Sequence, residues 1–529
     1  MKTEFSLGPT SFKEVIDHNH WILSGSGLTL DQIAKQLRVG SCLEISKETL
    51  HRVELSRSVV ERHAGGKQPL YGINTGFGAL AHQRIPAGDL EKLQENLILS
   101  HAVGVGEEAS SEIVALMLIL KAHGLSIGLS GVRPIVIDYL IRFFNEKIYP
   151  VVYTKGSLGA SGDLAPLAHL TLPLLGFGEV IDNGVRKPAG EALKWLGLPP
   201  LRLAAKEGLA LINGTQFMSA YAVHCLLRVE RMLPTADLAA AMTLESVRGS
   251  AAPFDPRIHT ARPYAGQIKV ASIIRQLLIG SEILPSHIDC PKVQDPYSIR
   301  CVPQVHGAVR DAFDHARRVI EIEVNSATDN PLVFPGGDIL SGGNFHGEPL
   351  AFVLDYLAIA ISELASISER RLYLLLGGDI LGELKLPKLL MKDTGLNSGF
   401  MLPQYAAAAL VSENKILSHP ASVDSIPSSL GQEDHVSMGA TSATKLLEVI
   451  KNCETVLAIE LMSAAQALDF IHPLQAGQGI EAAHSEIRKQ ISFAESDRLF
   501  HHDIQSALRL VRSGDLVRAA ESAVGKLGG

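Results

Sequence analysis

The chain has few cysteines, and no two of them form a close pair. Its five cysteines are scattered over 529 residues and include no Cys-x-x-Cys motif. A disulfide framework needs a patterned, usually even set of cysteines, and a cysteine zinc site needs closely spaced pairs. The sequence therefore argues against both and favours a reducing compartment, so we expect a cytoplasmic protein.

An excess of positive charge is also missing. The chain has 48 Lys and Arg against 56 Asp and Glu, a net charge of -8, and only 5% aromatic residues. Proteins that bind nucleic acid usually present clustered basic residues, often with aromatic side chains between them. We therefore expect no nucleic-acid partner.

Long uninterrupted apolar runs are absent as well. The first residues, `MKTEFSLGPTSF`, contain no apolar core of a signal peptide, and runs such as `LAFVLDYLAIAI` are short or carry an acidic residue. A membrane-spanning helix needs about 20 apolar residues. We expect a chain that is neither secreted nor embedded in a membrane.

The pattern along the chain changes near residue 205. Up to that point many glycines interrupt short apolar segments, whereas 216–247, 348–376 and 442–471 show apolar residues at helical spacing. We predict a mainly α fold. A loop-rich amino-terminal domain, 1–205, would be followed by a long-helix antiparallel bundle, 206–529.

The stretch `KGSLGASGDLAPLAHL` predicts a tight turn into a helix. Asp163 is a residue type that caps helices, a proline follows in the first turn, and Gly176 follows the apolar segment. Ala160-Ser161-Gly162, called here the 160–162 turn, lies just before this helix. A tight turn that needs a glycine at positive φ explains the tripeptide without any chemistry.

A chemical interpretation of the same turn is open. The amide nitrogen of Gly162 could attack the carbonyl carbon of Ala160 and close a five-membered ring. Loss of one water from the ring and of the Ser161 hydroxyl as a second water would leave a methylidene carbon conjugated to an imidazolone. That product is an electrophile made from the backbone, next to a helix amino terminus that stabilises negative charge.

Several motifs together carry a resemblance to a known family. They are `GSLGASGDLAPLAH`, `YGINTGFG`, `NGTQ`, `QDPYSIRC`, `DNPLVF`, `GGNFHGEP` and `GQEDHVSM`, spread over about residues 65 to 470. Through them the chain closely resembles the histidine ammonia-lyases of the aromatic amino acid lyase family. The resemblance implies that the 160–162 turn cyclises autocatalytically to 4-methylidene-imidazol-5-one, with no external cofactor.

The resemblance also implies roles for residues outside the turn. Tyr71 matches an acid/base tyrosine on a mobile loop whose glycines permit closure, and Tyr297 matches a tyrosine near the reacting carbon. Arg300 matches the arginine that binds the substrate carboxylate, a task for which a bidentate guanidinium is well suited. Other matches line the site: Asn213, Gln294 and Asn344, and Phe345, which packs over the prosthetic group.

Substrate choice depends on a second set of residues. Ser100-His101 and Gln432-Glu433 stand where lyases for other aromatic amino acids often differ, and Glu433 is the sharper signal. A carboxylate that faces an imidazole can accept its ring N–H. We expect His101 and Glu433 to hold the two ring nitrogens of histidine, while the base among Tyr71, Tyr297 and Glu433 stays open.

The resemblance leads to an expected function with stated alternatives. We expect elimination of ammonia from L-histidine to give trans-urocanate, the first step of histidine degradation, by a homotetramer whose active sites are shared between subunits. The alternatives are a 2,3-aminomutase, an ammonia-lyase for another aromatic amino acid, and a non-enzymatic helical scaffold. Because no HExxH or similar spacing occurs, we predict that no metal is needed.

Overall fold

The computed structural model describes residues 20–289, 292–377 and 386–528. In these residues it contains nineteen α-helices and nine short strands, which confirms the predicted mainly α fold. The initial segment, in which no signal peptide was expected, lies outside the described residues.

The helices range from single turns to more than eight turns. They are α1 (Leu30–Val39), α2 (Lys47–Ala64), α3 (Leu90–His101), α4 (Ser111–Ser126), α5 (Pro134–Asn145), α6 (Leu164–Thr171), α7 (Ala189–Trp195), α8 (Glu207–Ile212), α9 (Gln216–Ser246), α10 (Pro256–Thr260), α11 (Ala265–Leu277), α12 (Tyr297–Arg300), α13 (Val302–Glu323), α14 (Glu348–Leu376), α15 (Met401–Leu417), α16 (Gly439–Asp469), α17 (Gln478–Gln490), α18 (Phe500–Ser513) and α19 (Asp515–Val524).

The strands form four small sheets. They are β1 (His20–Leu23), β2 (Cys42–Ile45), β3 (Val105–Glu108), β4 (Ile148–Pro150), β5 (Tyr153–Lys155), β6 (Glu179–Asp182), β7 (Val185–Pro188), β8 (Leu332–Val333) and β9 (Ile339–Leu340). Strands β1 and β2 pair in parallel, with His20 opposite Cys42. The pairs β3–β5, β4–β6, β6–β7 and β8–β9 are antiparallel.

The three long helices that the sequence predicted are α9, α14 and α16. Their observed bounds differ from the predicted ranges 216–247, 348–376 and 442–471 by a few residues at most. Helix α14 packs along α16, and both contact α9. Helix α14 is long and apolar enough to cross a membrane, but 61% of its most apolar window is buried inside the protein, as in a core helix.

A buried ion pair joins two of the long helices. Arg371 of α14 and Glu460 of α16 are fully buried, and the guanidinium meets the carboxylate at 2.6 and 2.8 Å. Thr243 of α9 donates a further hydrogen bond to Glu460 at 2.8 Å. Since a buried charge is tolerated only when it is paired and hydrogen-bonded, this contact restricts how the three helices pack together.

The hydrophobic core runs through both parts of the chain. One cluster of buried apolar side chains extends from Trp21 to Leu527 and includes residues of α4, α9, α14 and α16. The predicted boundary near residue 205 stays a prediction; the long helices begin just after it, at Gln216.

The helix that follows the 160–162 turn ends as predicted but begins differently. Helix α6 starts at Leu164 and continues as a 3-10 turn to Gly176, which has a left-handed conformation. Asp163 stands at its N-cap position, yet its side chain makes no cap bond to α6. The carboxylate instead accepts from the backbone N–H groups of Phe217 and Met218, each at 3.0 Å, and so caps the long helix α9.

We therefore expect Asp163→Ala to destabilise the protein through α9 rather than α6. The substitution would leave two buried N–H groups without an acceptor, a cost of about 2 to 4 kcal/mol. The thermal unfolding midpoint of Asp163→Ala should fall clearly. The midpoint of Asp163→Asn, which keeps one oxygen acceptor, should fall less.

Asp255→Ala serves as the matched control for this experiment. Asp255 also accepts a backbone N–H, from Arg257, but at a half-exposed helix start. Its loss should move the midpoint only slightly. Equal shifts for the Asp163 and Asp255 variants would contradict the proposed buried cap.

Candidate functional site

The 160–162 turn is pressed against the start of α9. Gly162 has a φ of +75°, and a Cβ added to it would lie 2.1 Å from the carbonyl oxygen of Gly214. The backbone N–H of Asp163 donates to that same carbonyl at 2.7 Å. Only a glycine fits at position 162, because any other side chain would meet backbone at a strained φ.

The carbonyl oxygen of Ser161 receives two donors. The side-chain amide Nδ2 of Asn213 lies 3.0 Å from it, and the backbone N of Gly214 lies 3.4 Å from it. Two N–H groups aimed at one carbonyl oxygen polarise it and stabilise negative charge there. The buried Oδ1 of Asn213 has no hydrogen-bond partner among the described residues, so it remains available to a donor on a bound molecule.

A carboxylate contacts the turn from the other side. The hydroxyl of Ser161 donates to Oε1 of Glu433 at 3.1 Å, and the hydroxyl of Ser428 donates to Oε2 at 2.9 Å. Ser428 also pairs with Glu433 through backbone hydrogen bonds. Residues 428–433 thus form a small loop, called here the Glu433 loop, which holds one half-buried carboxylate against the 160–162 turn.

Two further predicted residues lie within the electrostatic reach of Glu433. Burial raises the pKa of Tyr71, and the charge of Glu433 adds to that effect, although a hydrogen bond from the N–H of Gly78 opposes it. Burial lowers the pKa of His101, even though Glu433 acts to raise it. At neutral pH the phenol is therefore protonated and the imidazole uncharged.

Contacts or electrostatic effects connect these five residues within one chain. Ser161, Asn213 and Glu433 are in contact, and the carboxylate of Glu433 acts on Tyr71 and His101. The group offers a nucleophilic or leaving hydroxyl, a carboxylate, a protonated phenol and a neutral imidazole. That combination suits acid–base chemistry on a small polar molecule.

The sequence model of the aromatic amino acid lyases matches residues 28–489. The chain belongs to the aromatic amino acid lyase family. Among its relatives, the histidine ammonia-lyase of Myxococcus xanthus is 49% identical over 503 residues, which are 95% of this chain and 98% of the relative.

Two solved structures resemble this one closely. Histidine ammonia-lyase from Trypanosoma cruzi superposes with a TM-score of 0.88 at 42% identity, covering 96% of each chain. Tyrosine aminomutase from Streptomyces globisporus superposes with a TM-score of 0.89 at 35% identity, covering 95% of this chain and 98% of the other.

A second group of predicted residues stands apart from the first. Tyr297 and Arg300 form the single-turn helix α12, and the guanidinium lies 4.5 Å from the centre of the tyrosine ring, so they share a face as predicted. Tyr297 is 69% exposed, and the buried Nε of Arg300 has no partner in the described part of the chain. Gln294 is exposed nearby. No contact found between described residues joins this group to Ser161.

The remaining predicted residues lie in the Glu433 loop or in a segment that contacts the chain just beyond it. Phe345 is half-buried, and Asn344 is exposed and donates to the carbonyl of Ala327 at 3.2 Å. His346, which follows Phe345, lies 3.3 Å from the carbonyl oxygen of His435, two residues beyond the Glu433 loop. Gln432 precedes Glu433 and is exposed.

The sequence interpretation missed a buried lysine behind the turn. Lys121 is 2% exposed, and its ammonium donates to the carbonyl of Asn213 at 2.7 Å and to Gln216 at 3.2 Å. Burial lowers the pKa of Lys121 to about 7 and raises that of the neighbouring Asp163 to about 7. A lone lysine within the apolar run `IVALMLILKAH` was the available signal, because such a residue needs a buried partner.

One group of possible metal ligands lies near this site. One nitrogen or oxygen atom of each of His346, Glu348 and His435 falls within 4.8 Å of the other two. The expectation that no metal is needed for the chemistry stays a prediction.

Proposed function

We propose that this chain is a histidine ammonia-lyase, which eliminates ammonia from L-histidine to give trans-urocanate. The observation that carries the proposal is the carboxylate of Glu433, which is held 3.1 Å from Ser161 and whose charge acts to raise the pKa of both His101 and Tyr71. The relatives named histidine ammonia-lyase, about half identical over nearly the whole chain, support the same assignment.

The 160–162 turn fits 4-methylidene-imidazol-5-one. Ring closure needs an unhindered nitrogen at Gly162 and a tight turn, and both are present. The carbonyl group of Ser161, whose carbon becomes part of the ring, already accepts hydrogen bonds from Asn213 and Gly214. The group would supply an electrophilic carbon, which no ordinary side chain provides, and so help the amine to leave.

The surrounding residues would bind histidine and move its protons. Glu433 would accept the ring N–H of the substrate, and the neutral His101 would hold the other ring nitrogen. The Oδ1 of Asn213, which has no partner among the described residues, suits the substrate amine as a donor. Tyr71, protonated at neutral pH, would give a proton.

The substrate carboxylate would be bound by the second group of residues. Arg300 presents a guanidinium whose Nε is unpaired in the described residues, and Tyr297 lies beside it. We propose that Gln294, Tyr297 and Arg300 enter the site from a neighbouring subunit. Exposed apolar side chains at helical spacing on α14, Phe352, Tyr356 and Ile359, suit a homotetramer interface.

A 2,3-aminomutase remains the second candidate. The structure of tyrosine aminomutase resembles this chain as closely as that of the Trypanosoma cruzi lyase does. The two reactions share amine loss and differ in whether the amine returns at the β-carbon. Released urocanate identifies the lyase, and β-histidine identifies the mutase. As a lyase, the enzyme would catalyse the first step of histidine degradation. We expect it to do so in the reducing cytoplasm.

The first test uses Ser161→Ala. Because the serine hydroxyl is the leaving group in ring formation, the variant should fold, lack the mass loss of two waters at residues 160–162, and lose nearly all urocanate formation. Ser157→Ala is the control, since Ser157 neighbours the turn without supplying a ring atom. Mass spectrometry and an assay with L-histidine, L-phenylalanine and L-tyrosine measure the outcome. Full turnover by Ser161→Ala would sink the proposal.

The second test concerns substrate choice at Glu433. Phenylalanine would leave this half-buried carboxylate against an apolar ring. Glu433→Gln should therefore reduce kcat/KM for histidine and lower the ratio of kcat/KM for histidine to that for phenylalanine by about tenfold or more. Since Glu433 also contacts Ser161, the near-ultraviolet absorbance of the variant must first show that the prosthetic group has formed. An unchanged ratio in a variant that carries the group would mean that Glu433 does not recognise the ring.

The third test concerns sharing between subunits. Ser161→Ala and Arg300→Ala should each be inactive, but co-expression of the two chains should restore part of the activity, because some sites then combine intact residues from different subunits. Ser161→Ala with Asn213→Ala is the control: these residues touch within one chain, so no intact site can form. If neither pair recovers activity while mixed oligomers form, each site is built from a single chain.

A further inference from the structure

A surface cavity, called here the α9–α18 cavity, lies between α1, α4, α9, α16 and α18. Its volume is about 780 Å³, and no residue of the candidate active site lines it. Arg228, one of its lining residues, comes twelve residues after Gln216, the first residue of α9. It therefore lies about 18 Å along the helix from the end that touches the 160–162 turn. Cavities of about 300 to 1,000 Å³ are typical of sites for small organic molecules.

The α9–α18 cavity is rich in positive charge, although the chain as a whole is acidic, with a net charge of -8. Five cationic side chains line it, namely Arg38, Arg228, Arg231, Lys451 and Arg512. Only three carboxylates line it, those of Glu112, Glu230 and Glu454. A local excess of cations in a concave surface focuses the electrostatic field and attracts anions.

Two of the arginines share a single buried carboxylate. Arg228 binds both oxygens of Glu454, at 2.9 and 2.5 Å, and Nε of Arg512 binds Oε2 of the same residue at 2.8 Å. Because one carboxylate neutralises only one guanidinium, this group of three keeps a net positive charge. The two terminal nitrogens of Arg512 have no partner among the described residues and are available to an anion.

Two further arginines have no carboxylate partner in the described part of the chain. Arg38 is exposed in the last turn of α1. Arg231 donates only through Nε, to the carbonyl of Leu227 at 3.1 Å. Glu230, the carboxylate next to Arg231 in the sequence, is bound by Arg317 at 2.8 Å instead. No ion pair within the described residues therefore compensates these two charges.

The side chain of His224 lies among these cations. Its ring is half-buried in the cavity wall and makes no hydrogen bond to another described residue. Burial lowers the pKa of His224 to about 4. The charges of Arg228, Arg231 and Lys451 act in the same direction, and that of Glu454 opposes them only in part. The imidazole is therefore uncharged at neutral pH and has a ring N–H to donate to an anion.

The rest of the cavity wall is largely apolar. It is formed by aliphatic side chains and one tyrosine ring: Leu37, Leu116, Leu227, Met232, Val511 and Tyr149. An inorganic anion alone would leave most of this wall uncovered. A ligand that fills the α9–α18 cavity therefore combines an anionic group with an apolar or aromatic part.

We propose that the α9–α18 cavity binds a small organic phosphate. Its phosphate oxygens would contact Arg231 of α9 and Arg512 of α18, and its organic part would lie against the apolar wall. A phosphate group carries up to two negative charges and three acceptor oxygens, so it suits guanidinium groups from separate helices better than a single carboxylate does. Because the ligand would bind only the folded chain, it would also raise stability by mass action. No step of the proposed reaction depends on this site.

The test measures binding of ADP to the full-length protein by titration calorimetry, without added metal. ADP should bind at one site per chain, at least tenfold more tightly than inorganic phosphate, adenosine or citrate, and should raise the thermal unfolding midpoint. Inorganic phosphate lacks the organic part, adenosine lacks the charge, and citrate carries negative charge without phosphate. Citrate binding as tight as that of ADP would show recognition of negative charge alone and would overturn the assignment of a phosphate.

Variants locate the site of binding. Arg231→Gln and Arg512→Gln each remove one guanidinium from the cavity and should weaken ADP binding at least tenfold. Arg509→Gln is the matched control, because it removes an exposed arginine of α18 that does not line the cavity, and it should leave binding unchanged. Circular dichroism and cooperative thermal unfolding check that all three variants fold.

A competition experiment separates this cavity from the candidate active site. Excess L-histidine should not displace ADP, because no residue of the candidate active site lines the α9–α18 cavity. Displacement by histidine would place ADP in the active site instead. That result would overturn the proposal, as would a lack of ADP binding to the parent chain or full binding by both cavity variants.

Discussion

The candidate site depends on the close approach of two glycines. A Cβ on Gly162 would collide with the carbonyl of Gly214, and a Cβ on Gly214 would lie 2.7 Å from the side chains of Gln216 and Thr328. This contact sets the 160–162 turn directly on the start of α9. The long helix thus supplies rigidity, and the turn supplies chemistry.

The opposite wall of the site is positioned by the start of α16. The N–H of Met438 donates to the carbonyl of Leu158 at 2.9 Å, and the hydroxyl of Ser437 reaches the carbonyl of Gly159 at 3.4 Å. These bonds join the segment after the Glu433 loop to the segment before the turn. Two long helices therefore fix the distance between Glu433 and Ser161, although both residues lie on loops.

Local sequence patterns predicted the helices and their neighbouring side chains. They did not predict which side chains far apart in the sequence bind each other. Helical spacing of apolar residues located α9, α14 and α16, and three-residue spacing placed Tyr297 beside Arg300. The cap of Asp163 was assigned to the wrong helix, because a sequence shows only the helix that follows, whereas the carboxylate reaches a helix that starts 53 residues later at Gln216. Lys121 was missed because its partners, Asn213 and Gln216, also lie far along the chain.

Charge balance supports the proposal that one chain alone forms an incomplete site. Tyr71 and His101 are uncharged at neutral pH, and Glu433 adds a carboxylate, so this half of the cleft suits an amine and a ring N–H. The ammonium of Lys121 is committed to the carbonyl of Asn213 and lies behind the turn. An amino-acid substrate also brings a carboxylate, which Glu433 would repel. A guanidinium would oppose that repulsion. Arg300 is half-buried beside the ring of Tyr297, and its Nε lacks a partner in the described residues, so it has the required chemistry. Electrostatics therefore favours a cation opposite Glu433, and the proposed sharing of sites between subunits would supply it.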